Sequence, residues 1–171
     1  MLELFLMRHA KSDWSSFDRD DFNRKINSKG VMRTKIIGNY IKKEKIKIDQ
    51  ILCSPSKRTK KTLEIIKKFI RNKPIISFVD DLYHLSHKSI FDIVLEQGVE
   101  KSVLVISHEP KLSESLYDFT NDDSNKLFLS ATNKFPTSGL FNLKFKSASW
   151  QEISRMKSEI VFFVRPLDLL T

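Results

Sequence analysis

An α/β sandwich of three layers, with helices on both faces of a mostly parallel sheet and an antiparallel edge hairpin, is expected of this sequence. Short apolar runs occur at residues 4–7, 51–53, 75–79 and 103–106, and runs this short read as buried strands. Between them, apolar residues recur at helical spacing. Strands alternating with helices argue for parallel pairing through helical crossovers. The last run, residues 140–145, alternates apolar with polar and reads as one strand of the hairpin.

The chain has 171 residues, 40% hydrophobic and 30% charged, which suits a single domain over 1–171 with a real core. No apolar stretch approaches the ~20 residues of a membrane span. Residues 2–7 are too short for a signal-peptide core and lack a basic lead-in. One cysteine, Cys53, forbids an internal disulfide and fits a reducing cytoplasm. The net charge of +9 favours acidic partners such as phosphates, nucleic acid or anionic lipid. The lysines are spread along the chain without an aromatic-rich RNA-binding signature, so nucleic acid is not the expected ligand. A monomer is expected.

After the first strand, residues 11–27 form a long polar loop, of a length that is often functional. Ser28 reads as a helix start, followed by Met32, Ile36, Ile37, Tyr40 and Ile41 at helical spacing. Ser54-Pro55 after the second strand reads as N-cap and first helical residue. A third strand leads into Asp80-Asp81, and residues 89–95 form a short helix. Ser107-His108-Glu109-Pro110 follows the fourth strand, with Pro110 opening a helix. Residues 121–133 show no periodicity and read as loop. Residues 150–153 are expected to pair with 140–145, and the apolar tail 160–169 is interrupted by Pro166.

Ligands of open α/β sheets bind beyond the carboxyl ends of the strands. Arg8 and His9 follow the first strand, Arg58 lies one turn into the helix after the second, and His108 follows the fourth. The helices starting at Ser54 and near Pro110 would point free amides at the same edge. Two arginines, two histidines and two helix ends describe a site for a dianion such as phosphate. Taken singly, each residue has an ordinary alternative: a satisfied histidine, a solvated arginine, a helix cap. His84 and His87 lack partners for a zinc site and read as loop residues, His84 near the rim. No Gly-x-Ser-x-Gly elbow or Gly-x-x-x-x-Gly-Lys loop is present.

Leu6-Met7-Arg8-His9-Ala10-Lys11-Ser12 resembles the Arg-His-Gly signature of the histidine phosphatase superfamily, the phosphoglycerate-mutase-like fold, with Ala10 for Gly. Arg24-Lys25-Ile26-Asn27-Ser28-Lys29-Gly30 is similar to its Arg-Pro-Leu-Asn-x-x-Gly element. Ser54-Pro55-Ser56-Lys57-Arg58-Thr59-Lys60-Lys61-Thr62 matches Ser-Pro-x-x-Arg-x-x-x-Thr. Ser107-His108-Glu109-Pro110 resembles Gly-His-x-Pro. Asp80-Asp81-Leu82-Tyr83 and Pro136-Thr137-Ser138-Gly139 look like the small phosphohistidine phosphatase branch, the SixA type.

The resemblance implies a metal-independent phosphatase without cofactor, acting on phosphohistidine in proteins. Other readings are a phosphatase of a small phosphomonoester and a non-catalytic phosphate or nucleic-acid binder. His9 would attack phosphorus through a neutral ring nitrogen, its other nitrogen donating to a carbonyl such as that of Ala10. Arg8, Arg58 and a protonated His108 would hold the phosphoryl oxygens, with Arg24 a further contact. Asp81 is the expected proton donor, and Asp80 and Asp18 are the other candidates.

Overall fold

The computed structural model describes residues 1–14, 20–155 and 157–170; Asp18 lies outside them. Its strands are β1 (Leu2–Arg8), β2 (Gln50–Cys53), β3 (Ile75–Phe78), β4 (Ser102–Ser107), β5 (Leu140–Phe145) and β6 (Glu159–Val164). They form one sheet in the spatial order β3-β2-β4-β1-β5-β6. β3, β2, β4 and β1 run parallel, while β5 is antiparallel to both β1 and β6. The central strands are apolar at successive positions because both of their faces are covered.

Leu4 and Leu6 of β1 point into one core layer with Val103, Val105 and Leu143. Phe5 and Met7 point into the other with Ile51, Leu104 and Ile106. The first layer is closed by α3 (Ile90–Gln97), α4 (Lys111–Phe119) and α5 (Lys126–Asn133), through Ile93, Leu116, Phe119 and Phe128. The second is closed by α1 (Ser28–Lys43) and α2 (Lys57–Ile66), through Ile37, Ile41, Leu63 and Ile66. This is the three-layer α/β sandwich expected, with its antiparallel hairpin at one edge.

Several boundaries differ from the sequence reading. α2 starts at Lys57, and its cap is Ser56, whose hydroxyl accepts from the Thr59 amide. Ser54, the expected cap, is buried and bonded elsewhere. The expected loop at 121–133 contains α5. Asn125 caps it, its side chain accepting from the amides of Leu127 and Phe128, and Phe128 and Ala131 reach the core. An eight-residue helix with so narrow an apolar stripe leaves little periodic signal.

The hairpin partner of β5 is β6, not residues 150–153, which form a 3-10 turn anchored by buried Trp150. The indole Nε1 of Trp150 donates to the carbonyl of Glu100 at 2.5 Å. β5 itself is buried at nearly every position because it sits between β1 and β6, and its one interior polar residue, Asn142, donates to the Leu4 carbonyl. Pro166 follows β6 and opens a final short turn. Among the described residues no helix is long and apolar enough to cross a membrane.

Candidate active site

Parallel pairing aligns the ends of β1, β4 and β2. Arg8 stands opposite Ser107, and Cys53 opposite Ile106. The residues just past these strands are His9, His108 and Ser54, and they meet at one sheet edge. The His9 amide donates to the Ser107 carbonyl at 3.1 Å, and the Ser54 amide to the Ile106 carbonyl at 3.0 Å. Ser138, buried and at φ 60°, directs its amide at the carbonyls of both Arg8 and His9, each at 3.1 Å. Backbone on three sides therefore fixes the Arg-His pair.

A cavity of about 370 Å³ opens beside it, walled by Arg8, His9, Arg24, Arg58, His84 and His108, together with Asp21, Glu109 and Trp14. The sequence-derived candidates Arg8, His9, Arg24, Arg58 and His108 thus share one wall set; Asp81 does not belong to it.

His9 is 4% exposed. Its Nδ1 lies 2.8 Å from the carbonyl of its neighbour Ala10, and a carbonyl only accepts, so Nδ1 carries the proton. The ring is then neutral, with the lone pair on Nε2. Burial holds the His9 pKa down at about 3, helped by the charges of Arg58, Arg8 and Arg24. Ala10 is fixed in turn, its amide donating to Thr62 Oγ1 at 2.8 Å. Gly30 completes this corner: a Cβ there would stand 2.3 Å from the Lys11 carbonyl oxygen, so α1 can approach the strand end only without a side chain.

The three arginines are held at their tips. Arg8 donates from Nη1 to the Phe135 carbonyl at 2.9 Å. Arg58, 1% exposed, donates from Nη1 to the Asp21 carbonyl at 2.7 Å and from Nη2 to the Asp21 carboxylate at 3.0 Å. Arg24 pairs with the same carboxylate at 3.1 Å, bonds Ser12 Oγ, and lies 3.9 Å from the centre of the Trp14 ring. The Nε–H groups of Arg8, Arg24 and Arg58 are buried without an acceptor among the described residues. Each such donor costs about 1–3 kcal/mol, a cost that an oxyanion with several free lone pairs can offset.

His108 departs from expectation. Its Nδ1 accepts from Arg58 Nη2 at 3.1 Å, and its Nε2 lies 2.7 Å from Ser54 Oγ. With Nδ1 accepting from a guanidinium, the ring is neutral. Burial drives its pKa down to about 2, assisted by His9, Arg58 and His84. A protonated His108 is therefore not what this structure contains.

Sequence reasoning missed Asp21. It belongs to a 3-10 turn (Asp21–Asn23) inside the long polar loop. Its carboxylate takes Arg58, Arg24 and the Tyr83 hydroxyl, the last at 2.5 Å, with His84 Nε2 at 3.7 Å. Burial would raise its pKa, but the bond from Tyr83 and the two guanidiniums outweigh that and keep the carboxyl well below its usual range. The available signal was the spacing Asp21-x-x-Arg24, which pairs opposite charges on one turn.

Asp81, the expected proton donor, lies outside the cavity walls. Asp81 accepts from the Ser86 hydroxyl at 2.8 Å and so stabilises its own turn. Glu109 faces the cavity instead. One of its carboxylate oxygens accepts from the Ser113 amide at 2.7 Å, so part of the α4 amide terminus expected for the anion is already used. Burial raises the Glu109 pKa.

Fold and site together define an α/β protein with a buried neutral histidine beside three guanidiniums at the carboxyl edge of its sheet. The family model of the histidine phosphatase superfamily (branch 1) matches residues 4–81. The chain is 26% identical over 165 residues to an uncharacterised protein of Mycobacterium leprae, covering 94% of this chain and 99% of that one. It is 26% identical over 113 residues to the phosphohistidine phosphatase SixA of Escherichia coli K12, covering 64% and 68%. A crystal structure assigned as SixA of Agrobacterium tumefaciens superposes with a TM-score of 0.79 at 24% identity, covering 96% of this chain and 97% of that one. The chain has the phosphoglycerate-mutase-like fold of these neighbours, and residues 4–81 resemble the histidine phosphatase superfamily (branch 1). That likeness supports a phosphatase.

Proposed function

We propose that this protein removes phosphate from phosphohistidine in proteins through a covalent intermediate on His9. The observation that carries this reading is the fixed tautomer of His9: Nδ1–H tied to Ala10 and Nε2 bare in a cavity walled by three guanidiniums. Neutral imidazole is the nucleophilic form. Nε2 attacks phosphorus in line, and the bond from phosphorus to the substrate's imidazole nitrogen breaks. Arg8, Arg58 and Arg24 hold the equatorial oxygens as charge spreads over them.

The leaving nitrogen takes a proton from Glu109, whose raised pKa suits a donor. Water then attacks the phosphohistidine at His9, and the Glu109 carboxylate accepts the water proton. Inorganic phosphate leaves and His9 returns to its neutral state. Neutral His108 acts by fixing Arg58 and Ser54.

A protein-borne substrate is supported by the SixA relative and by the rim, where Trp14 is 72% exposed. Turnover of a phosphohistidine-bearing protein is to be compared with a panel of sugar and nucleotide phosphates. A kcat/KM at least tenfold higher for the phosphoprotein is expected; preference for the small esters would overturn the reading in favour of a phosphomonoesterase.

A further inference from the structure

A cavity larger than the catalytic one lies beside it. A groove of about 550 Å³ runs between α1, the end of α5 and the turn after β6, and shares Arg8, Lys11 and Thr137 with the catalytic cavity. It therefore adjoins the site that would take the phosphoryl group. Its volume falls in the range of ligand-binding clefts.

The walls of this groove are strongly basic. Lys11, Arg33, Lys134 and Arg165 face it, against one carboxylate, Asp168. Asp168 is already engaged by Arg165 at 2.8 Å. Among the described residues Lys11, Arg33 and Lys134 have no carboxylate within ion-pair distance. The Arg33 and Lys134 side chains make no hydrogen bond either, so folding makes no evident use of their charges.

We infer that this groove holds an acidic segment of the polypeptide that carries the phosphorylated residue. The inference rests on the phosphoprotein reading above. A phosphorylated side chain seated at His9 obliges the chain bearing it to cross the rim, and the groove begins at that rim, at Arg8, Lys11 and Thr137. Glutamate and aspartate side chains would meet Arg33 and Lys134 at the outer end, nearest α1 and α5. Rim cations of this kind raise association rates and select partners by charge.

The test uses the full chain and the double variant Arg33→Glu, Lys134→Glu. The probes are two fluorescent unphosphorylated peptides of equal length, one rich in glutamate and one in lysine, and their phosphohistidine-containing counterparts. The wild type is expected to bind the glutamate peptide at least tenfold more tightly than the lysine peptide, with affinity falling steeply as salt rises. The variant should lose that preference and turn over the glutamate-flanked phosphopeptide at least tenfold less efficiently, while its rate on N-phosphoimidazole stays within twofold. Equal binding of the two peptides by the wild type, or unchanged preference in the variant, would overturn the inference. So would tighter binding of a single-stranded oligonucleotide, which would make the groove a nucleic-acid site. Charge-selective peptide binding that the variant abolishes, without turnover of any phosphohistidine substrate, would leave the groove standing and remove the proposed reaction.

Discussion

Arg58 grips Asp21 twice, donating from Nη1 to its backbone carbonyl at 2.7 Å and from Nη2 to its carboxylate at 3.0 Å. The same Nη2 also reaches His108 Nδ1 at 3.1 Å. One guanidinium from α2 therefore ties the polar loop before α1 to the strand end that bears His108. Through Asp21 the loop contributes to the cavity wall and places a carboxylate against Arg58.

Asp21→Asn keeps the shape and removes the charge. Losing charge-assisted bonds of about 1.5–3 kcal/mol should lower kcat roughly 10- to 100-fold. Inorganic phosphate should inhibit more strongly, since two guanidiniums lose their internal counter-ion. Steady-state rates and phosphate inhibition measured on the same preparation check this split. Unchanged kcat would show that Arg58 needs no such anchor.

Glu109→Gln removes the proposed proton donor. Loss of general acid catalysis typically costs about 10²–10⁴-fold, and only where the leaving group needs the proton. In single-turnover phosphorylation of His9, the variant should therefore be slow with phenyl phosphate and close to wild type with p-nitrophenyl phosphate, whose leaving group is far less basic. An equal loss on both in that first step would place Glu109 outside protonation of the leaving group.

Burial keeps His9 near pKa 3 and His108 near 2, against an ordinary 6.5. Below about pH 6.5 the unfolded chain takes up protons at these positions that the native state refuses. Stability is thus full above that value and falls as pH drops, on the order of 2 kcal/mol per histidine by pH 5. Urea unfolding at pH 7 and pH 5 should show the loss, and His9→Gln should remove about half of it. A wild-type stability independent of pH over this window would mean that the rings are protonated in the native state.

No group of three His, Cys, Asp or Glu side chains among the described residues is arranged to hold a metal ion. Dialysis against EDTA is expected to leave kcat unchanged. Inhibition that a divalent cation reverses would contradict the metal-independent chemistry.

The sheet was legible because buried strands announce themselves as apolar runs bounded by polar residues, and Arg8, His9, Arg58 and His108 stood at their ends or one turn beyond. Asp21 and Glu109 were not, for a physical reason. Asp21 lies in an irregular loop whose path no periodicity encodes, directly after three other charged residues, Asp18, Arg19 and Asp20. Glu109 was hidden by the more familiar expectation that a carboxylate after β3 serves the site; Asp81 there caps its own turn. The neutral state of His108 in this structure was not legible because a sequence does not reveal that Arg58 and Ser54 lie against its two ring nitrogens. The hairpin was assigned the wrong partner because Pro166 suggested an interrupted tail, whereas it falls just after β6 and ends it.

The proposed reaction depends on His9 carrying the phosphoryl group. The protein is to be mixed with a phosphohistidine substrate, quenched in alkali within milliseconds to preserve phosphoramidate, and mapped by mass spectrometry. Phosphate on the peptide containing His9, on no other histidine, and absent from a folded but inactive His9→Asn variant is the predicted result. Phosphate on another residue, or a His9→Asn variant that still turns over, would contradict it.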